Sequence, residues 1–359
     1  MKILFTLIIL SFYLGSSNLY AHSFKGNDEN IKYVGRTISN SNGDVSFNWI
    51  GTYLETYFTG GDFSLRISET GTSYYNISID DKLQRKIKLS GLDTIVNIVS
   101  DYNKRKHKIR IQKCTEGVYS KTTIHEVILS KSGLLSRQPS KVKRHIEFIG
   151  DSYTCGYGVE SNNYKDPFSL ETENCGLTYA AVVAKYFDAD YTLIAHSGKG
   201  AARNYGDSVR ISKETMKDLM MNVFDTIDTC KWDRKGYKPD LVVINLGSND
   251  FSLEPHPYKE EFKHSYIQII NQVKTLYGNV KILCIFPPTI QAPVYNYFEE
   301  IVSEKNDGTI YLLKLKQDLF NMETDLGANW HPGRYGQRKT AMCIIPYIST
   351  IVGWEIQNE

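Results

Sequence analysis

The stretch that decides the fold is HIEFIGDSY at residues 145–153. Residues 145–149 form a short apolar run, which predicts a buried strand of a parallel sheet covered by helices on both faces. Gly150, Asp151 and Ser152 follow as a turn, so we expect Ser152 at the carboxyl edge of that sheet, where ligands bind. Taken alone, the tripeptide favours a turn with a helix-capping serine.

The chain after residue 145 repeats this rhythm of apolar strands separated by helical patterns. Such alternation predicts an α/β domain with a parallel sheet, and we assign it residues 145–359. Further strands are predicted at residues 191–195, 241–245, 282–286 and 310–313, and helices at 179–186 and 267–276.

The chain before residue 137 has a different pattern, with short segments of period-two alternation broken by Gly, Asn and Asp. This pattern predicts antiparallel strands in a β-sandwich, which we assign to residues 22–136. A polar linker is expected at residues 137–144. Examples of the alternating segments are residues 45–49, 64–67, 76–79 and 108–111.

The N-terminus carries the pattern of a secretory signal peptide over residues 1–21. Lys2 precedes an apolar run at residues 3–10, and small residues precede Ala21, after which we expect cleavage. The apolar run is too short to span a bilayer. We therefore expect a secreted or periplasmic protein without a membrane anchor.

Composition excludes several classes of partner. The 42 basic and 40 acidic residues leave a net charge of +2, which gives no case for binding nucleic acid or an anionic membrane. The six cysteines form no CxxC pair and no Cys/His ligand spacing, so no metal and no other cofactor is expected. Cys155 and Cys175 flank one loop and could form a disulfide.

The chain contains 25 tyrosines. This number has two interpretations, namely a surface that binds sugars or the preference of tyrosine for β-strands.

Three further glycine- or asparagine-containing turns follow predicted strands. They read HSGKG at residues 196–200, GSND at residues 247–250 and NWHPG at residues 329–333. Because the carboxyl ends of parallel strands share one edge, these turns lie near Ser152. Together they supply a nucleophile, donors for an oxyanion and a general base, which is what acyl transfer requires.

These blocks resemble those of the SGNH (GDSL) hydrolase superfamily. The run IEFIGDSYTCGYG at residues 146–158, TEN at 172–174 and RNYG at 203–206 resemble carbohydrate esterase family 2 more narrowly. That family pairs an N-terminal jelly-roll β-domain with a C-terminal SGNH domain, which matches the change of pattern near residue 140. It deacetylates sugars, with a preference for 6-O-acetyl groups of hexose units.

The resemblance implies a role for each matching residue. Ser152 is expected to be the nucleophile and His331 the base, and the oxyanion hole combines the Ser152 N–H, the Gly198 N–H and the Asn249 side chain. Asp250 is expected to brace its loop. Trp330 is a candidate for stacking on a sugar, although a tryptophan close to a proline is as often a packing residue, and Tyr205 and Tyr157 are weaker candidates of the same kind.

One position departs from the superfamily pattern. An aspartate is usual three residues before the histidine, where this chain has Ala328, and family 2 often has aspartate where this chain has Asn329. The imidazole of His331 is therefore oriented either by a backbone carbonyl, as described for Ser-His dyads of the family, or by the nearby Asp325.

The resemblance implies a monomeric carbohydrate O-acetyl esterase that acts on plant-type polysaccharides or oligosaccharides through an acyl-enzyme. Two alternatives remain open at this point. One is a lipase-like or thioesterase-like SGNH hydrolase, which needs a long apolar acyl channel. The other is a non-catalytic glycan-binding protein with a degenerate hydrolase domain.

Overall fold

The computed structural model describes residues 21–137, 144–226, 230–233, 237–290, 293–305 and 308–356. The predicted signal peptide lies outside these residues except for Ala21, and so do residues 138–143 of the predicted linker. Within the described part of the chain, no helix has both the length and the apolar character needed to cross a bilayer.

The described strands before residue 137 are antiparallel, as the alternation predicts. They belong to one sheet with the following members: β1 His22–Lys25, β2 Lys32–Val34, β3 Ile38–Ser39, β4 Val45–Phe47, β5 Tyr53–Phe58, β6 Phe63–Ile79, β7 Lys82–Val99, β8 His107–Lys113, β9 Thr122–Leu129 and β10 Leu135–Ser136. The order along the sheet is β10-β5-β8-β6-β9-β4-β3, while β1 also pairs with β9, β2 with β5 and β7 with β6.

The long strand β6 explains how this sheet encloses a core. Its first part pairs with β9 and its last part with β8, and register shifts around Glu69 separate the two parts. Such bulges bend a strand and increase its twist, so the sheet curls on itself. Alternate residues of β6, among them Phe63, Leu65 and Ile67, are buried inside the curl. Residues 64–67 and 76–79, predicted as separate strands, are two parts of β6.

The second domain contains a parallel sheet, as predicted. Its described strands are β11 Arg144–Gly150, β12 Ala189–Ala195, β13 Leu241–Asn245, β14 Lys281–Phe286 and β15 Ile310–Lys314, in the order β12-β11-β13-β14-β15. Each contains one of the five predicted strand segments. The α/β class of this domain and the antiparallel class of the first are confirmed.

Helices cover both faces of the parallel sheet. Alternate residues of β13 show this arrangement, because Leu241 and Val243 pack with α2 and α6 while Val242 and Ile244 pack with α4 and α5. The predicted helix at residues 179–186 is α2, and the one predicted at residues 267–276 lies within α4. The helices are α1 Ser152–Cys155, α2 Tyr179–Tyr186, α3 Met216–Leu219, α4 Lys259–Tyr277, α5 Val294–Lys305 and α6 Arg334–Val352.

The strand order places a crevice above β11. The chain passes from β11 to β12 on one side, and then to β13 on the other side of β11. In open α/β sheets, ligands bind outside the carboxyl ends of the strands at such a reversal. The turns that begin at Gly150, His196 and Leu246 therefore meet there.

The two domains are joined by buried polar contacts. The Tyr53 hydroxyl donates to Oδ1 of Asp190 over 2.7 Å, and the Asp225 N–H donates to Oδ1 of Asn48 over 2.7 Å. Trp49 of the first domain is fully buried in the apolar core of the second. The domains therefore form one closely packed unit.

Cys155 and Cys175 are both free thiols. The disulfide considered between Cys155 and Cys175 is therefore absent. Both residues are fully buried, and the Cys175 thiol donates to the Lys113 carbonyl over 3.3 Å. They pack as small apolar side chains instead, a common role for free cysteine.

Candidate active site

Ser152 lies directly after β11 and begins the short helix α1. Asp151 caps this helix, because its side chain accepts the Tyr153 N–H over 3.1 Å. Gly150 is required at the turn, since a Cβ atom there would lie 2.1 Å from Oγ1 of Thr154. The capping role considered for the serine therefore belongs to Asp151, and the Ser152 side chain, 7% exposed, is left for another contact.

The Ser152 side chain contacts His331, which lies in the turn before α6. Nε2 of His331 lies 2.9 Å from Oγ of Ser152. This distance lies within the range in which a base accepts the proton of a hydroxyl nucleophile. The structure thus brings together the two residues that the sequence assigned to proton transfer and nucleophilic attack.

The imidazole is held by the backbone. Nδ1 of His331 lies 2.8 Å from the carbonyl oxygen of Asn329. A carbonyl can only accept, so Nδ1 carries the hydrogen and Nε2 is free to accept from Ser152. Of the two orienting groups left open by the sequence, the structure places the carbonyl against the ring.

Asp325 has other partners. Its Oδ2 atom accepts from Nζ of Lys339 over 2.5 Å and from the Asn321 N–H over 2.7 Å. Its backbone carbonyl accepts the Gly333 N–H over 2.7 Å. Asp325 therefore closes the turn that carries His331 and does not contact the imidazole.

The turn that positions this carbonyl is strained. Asn329 and Trp330 both have left-handed backbone angles, with φ of 50° and 62°. For a bulky residue such as tryptophan this conformation is unusual, and each strained residue costs about 1–3 kcal/mol. Surrounding contacts must therefore hold the turn.

The segment at residues 158–166 provides those contacts. The carbonyls of Gly158, Asp166 and Tyr164 accept the N–H groups of Ala328, Asn329 and Trp330 over 3.1, 2.9 and 3.0 Å, respectively. Three successive N–H groups of the strained turn are thus satisfied by one loop. Sequence reasoning missed this loop, because hydrogen bonds between backbone groups leave no mark on residue types.

The amide of Asn249 links the turns around Ser152. Its Nδ2 donates to the Lys199 carbonyl over 2.9 Å and to Oδ2 of Asp151 over 3.3 Å. Lys199 follows Gly198, whose φ of 80° is a left-handed conformation that suits glycine. The predicted oxyanion donors Gly198 and Asn249 therefore lie in turns that are bonded to each other and to the neighbour of Ser152.

Asp250 braces the loop after β12, as expected. Its carboxylate accepts the N–H groups of Ala201, Ala202 and Arg203 over 2.7–3.0 Å. Asp250 is fully buried, so it fixes the loop from the interior of the domain.

Burial shifts the protonation of two groups beside Ser152 in opposite directions. It lowers the pKa of His331 below its ordinary value, although the hydrogen bond to the Asn329 carbonyl opposes this shift. Burial also raises the pKa of Asp151 to about 7. His331 is therefore neutral, and able to accept a proton, at neutral pH.

The two predicted sugar-stacking residues are both exposed. Trp330 is 51% exposed and its ring lies 4.4 Å from that of Tyr164, so it is not a buried packing residue. Tyr205 is 61% exposed, and its N–H donates to the Gly198 carbonyl over 2.8 Å.

An aromatic wall next to His331 adds to these rings. The Tyr157 ring lies 4.4 Å from the imidazole and stacks on Phe168 at 4.0 Å. The sequence singled out Tyr157 only weakly and Phe168 not at all. No motif marks Phe168, and only its contact with Tyr157 identifies it.

Within the described residues, no group of three or more His, Cys, Asp or Glu side chains could hold a metal ion. The histidines other than His331 have local partners. Nδ1 of His196, for example, lies 2.7 Å from Oδ1 of Asp225.

Comparison with known proteins identifies both domains. Residues 33–139 match the model of the carbohydrate esterase 2 N-terminal domain, and residues 148–338 match that of the GDSL-like lipase/acylhydrolase family. The second match covers more than half of the chain.

Relatives with curated descriptions include two carbohydrate-active enzymes. The cellulase/esterase CelE of Acetivibrio thermocellus is 29% identical over 90% of this chain, and the chain spans 40% of that relative's length. An acetylxylan esterase/glucomannan deacetylase of Cellvibrio japonicus is 27% identical over 84% of this chain and 85% of its own.

A solved structure supports the same assignment. The family two carbohydrate esterase from Clostridium thermocellum, in complex with cellohexaose, is 27% identical and superposes with a TM-score of 0.84 over 90% of this chain and all of its own. The chain therefore belongs to the GDSL-like lipase/acylhydrolase family of ester hydrolases and, within it, to carbohydrate esterase family 2.

Proposed function

We propose that this chain is a carbohydrate O-acetyl esterase that works through an acetyl-enzyme. The observation that carries the proposal is the 2.9 Å contact between Oγ of Ser152 and Nε2 of His331, with the imidazole fixed by the Asn329 carbonyl. The names of the relatives support acetylated xylan or glucomannan as the substrate class.

In the first half of the reaction, Oγ of Ser152 attacks the acetyl carbonyl while Nε2 of His331 takes the hydroxyl proton. The negative charge that develops on the carbonyl oxygen is stabilised by the Ser152 N–H, the Gly198 N–H and the Asn249 amide, which gives up its 3.3 Å bond to Asp151 for the oxyanion. His331 then gives its proton to the departing sugar oxygen, leaving acetyl-Ser152 and a free sugar hydroxyl.

In the second half, water attacks acetyl-Ser152 and gives a proton to His331. Collapse of the second tetrahedral intermediate releases acetate, and the proton returns from His331 to Oγ of Ser152. The imidazolium is stabilised by a carbonyl dipole, since no carboxylate contacts the ring among the described residues.

We further propose a preference for 6-O-acetyl groups of hexose units in plant-type polysaccharides. Ser152 is recessed, and an ester on an exocyclic CH₂ projects farther from the sugar ring than an ester on a ring carbon. The cellohexaose bound to a solved relative supports a β-linked glucan-like chain as the ligand type. Trp330 and Tyr205 are exposed near the two proposed catalytic turns and would stack on sugar rings.

The N-terminal sequence supports export of the chain, so we propose that it is secreted or periplasmic. All residues invoked in the mechanism come from one chain, and we propose that it acts as a monomer.

The decisive experiment compares acyl groups and polysaccharides. We expect kcat/KM for a chromogenic acetate to exceed that for the octanoate by about tenfold or more, because a pocket shaped for an acetyl group does not accommodate the added methylenes. Acetate should be released from acetylated glucomannan or xylan. A preference for octanoate would indicate a lipase-like enzyme, and glycan binding without turnover would indicate a binding protein.

The pH dependence tests the base. Because burial lowers the pKa of His331, we expect the acid limb of kcat/KM to lie below pH 6.5, the ordinary value for histidine. The measurement is kcat/KM for a chromogenic acetate between pH 4 and 9. A limb near pH 7 that disappears in Asp151→Asn would instead assign the titration to Asp151, whose pKa is raised to about 7.

A further inference from the structure

Two carboxyl side chains, one from each domain, meet in the buried interface beneath the turn after β12. Glu116 lies in the connection between β8 and β9 and is 1% exposed, while Glu173 of the second domain is fully buried. The Glu116 N–H donates to Oε2 of Glu173 over 3.2 Å. Oε1 of each residue is buried and has no hydrogen-bond partner within the described parts of the chain.

The two side chains cannot both be ionised there without a large cost. Burial raises the pKa of Glu173 well above its ordinary value, and the neighbouring Glu116 raises it further. Carboxyl groups that share a buried site hold one proton between them. The raised pKa of Glu173 therefore assigns this shared proton to Glu173.

The Glu116 side chain contacts the catalytic domain directly. Its Oε2 atom accepts the Ser197 N–H over 2.5 Å. Ser197 directly precedes Gly198, whose N–H is one of the proposed oxyanion donors. A hydrogen bond is stronger in a buried environment than in water, so Glu116 fixes the backbone one residue before that donor.

We propose that Glu116 is a positioning residue by which the β-domain fixes the oxyanion turn at Ser197–Gly198, and that the buried carboxyl group of Glu173 supports this contact by accepting the Glu116 N–H. The inference rests on the proposed esterase function. It assigns the N-terminal domain an indirect part in catalysis, through the position of the Ser197–Gly198 turn.

Other charged and titratable groups face this pair from each neighbouring element. Lys113 is a buried cation that also interacts with Glu69, and Nζ of the partly exposed Lys86 donates to the Glu173 carbonyl over 2.8 Å. The His196–Asp225 pair lies at the start of the turn after β12, because His196 directly follows that strand. The remaining neighbours are the Cys114, Cys155 and Cys175 thiols, the Tyr119 and Tyr157 hydroxyls, Asp151 and His331.

The shared proton gives the contact a definite pH dependence. Because the pKa of Glu173 is raised in the folded protein, its contribution to stability is complete below the ordinary glutamate pKa of 4.5 and is lost as pH rises through the raised value. Above that pH, two negative charges repel each other and the hold on Ser197 weakens. We therefore expect kcat to decline on the alkaline side.

The test compares three variants of the pair in the full chain. We expect Glu116→Ala to lower kcat by roughly tenfold to a hundredfold, less than the loss of an oxyanion donor itself, with KM changed by less than about threefold. Glu116→Gln should restore most of kcat, because its amide oxygen accepts the Ser197 N–H. Glu173→Gln should keep kcat and remove the alkaline decline.

Asp190→Asn is the matched control. Asp190 is another buried interface carboxylate, bonded to Tyr53 and Lys32, but it lies at the opposite end of β12 from Ser197. We expect this variant to lower the melting temperature without changing kcat or its pH profile. Amide hydrogen exchange at residues 196–199 adds a readout independent of activity, and it should be faster in Glu116→Ala than in Asp190→Asn.

Wild-type kcat in a folded Glu116→Ala variant, or a Glu173→Gln variant that keeps the alkaline decline, would overturn the proposal. The proposal would also be overturned if Glu116→Ala and Asp190→Asn lowered kcat to the same extent, in proportion to their fall in melting temperature. If the wild-type chain proves inactive, the proposed function fails, and unchanged exchange at residues 196–199 in Glu116→Ala then rejects the positioning role separately.

Discussion

Replacing Ser152 by alanine is expected to lower kcat on acetyl esters by roughly four to six orders of magnitude. The alanine retains Cβ, and the cap of α1 is supplied by Asp151, so the fold should be unchanged. What is lost is the hydroxyl that lies 2.9 Å from Nε2 of His331. The measurement is kcat on a chromogenic acetate, with circular dichroism and melting temperature as checks of folding.

Ser248→Ala provides the matched control. Ser248 lies at the same edge of the sheet, in the turn after β13, but its hydroxyl pairs with Oγ1 of Thr289 over 3.2 Å. Its removal should leave kcat within about twofold, as for most surface substitutions. A serine-directed inhibitor should label wild type and Ser248→Ala, but not Ser152→Ala. Substantial activity in a folded Ser152→Ala variant would disprove the mechanism.

His331→Ala should cost about as much, since a nucleophile and its base act as a unit. Without the imidazole, no group takes the Ser152 proton at neutral pH. The same variant leaves the Asn329 carbonyl without its Nδ1 donor, but Asn329 is exposed, so water can replace that bond and stability should change little. The measurements are kcat and melting temperature, together with the rate of labelling of Ser152.

Asp325→Asn distinguishes the two ways of orienting the base. Removing the aspartate of a serine protease triad lowers kcat about ten-thousand-fold. Here Asp325 binds Lys339 and the Asn321 N–H, so we expect kcat to stay within a few-fold of wild type, with some loss of stability. Lys339→Gln should reproduce that loss of stability. A collapse of kcat in Asp325→Asn alone, at unchanged stability, would show that Asp325 orients His331.

The parallel sheet was predicted well because each of its strands is marked by a pattern in its own short stretch of sequence. Each strand is an apolar run that ends in a turn, and α2 was predicted with its observed bounds, Tyr179–Tyr186. The same turns placed Ser152 and His331 at one edge, although 179 residues separate them along the chain. Parallel strands make that inference general, since their carboxyl ends lie on the same side.

What the sequence did not reveal depends on pairing between distant segments. The two halves of β6 read as separate strands because bulges around Glu69 interrupt the alternation. Glu116 lies in a connection of the first domain, and only folding brings it to Ser197. The sequence left two groups that could orient His331, a backbone carbonyl and Asp325. It could not decide between them, because every residue has a carbonyl and only the fold determines where that carbonyl points.

The backbone support of His331 has a consequence for how such proteins are recognised. A carbonyl is present whatever side chain occupies position 329, so the orientation of the imidazole survives any substitution there that tolerates the left-handed conformation. Selection can therefore vary this side chain freely while preserving proton transfer. A survey that sorts homologous chains into active and inactive by the presence of a third acidic residue would discard this one, even though its serine and histidine are in contact.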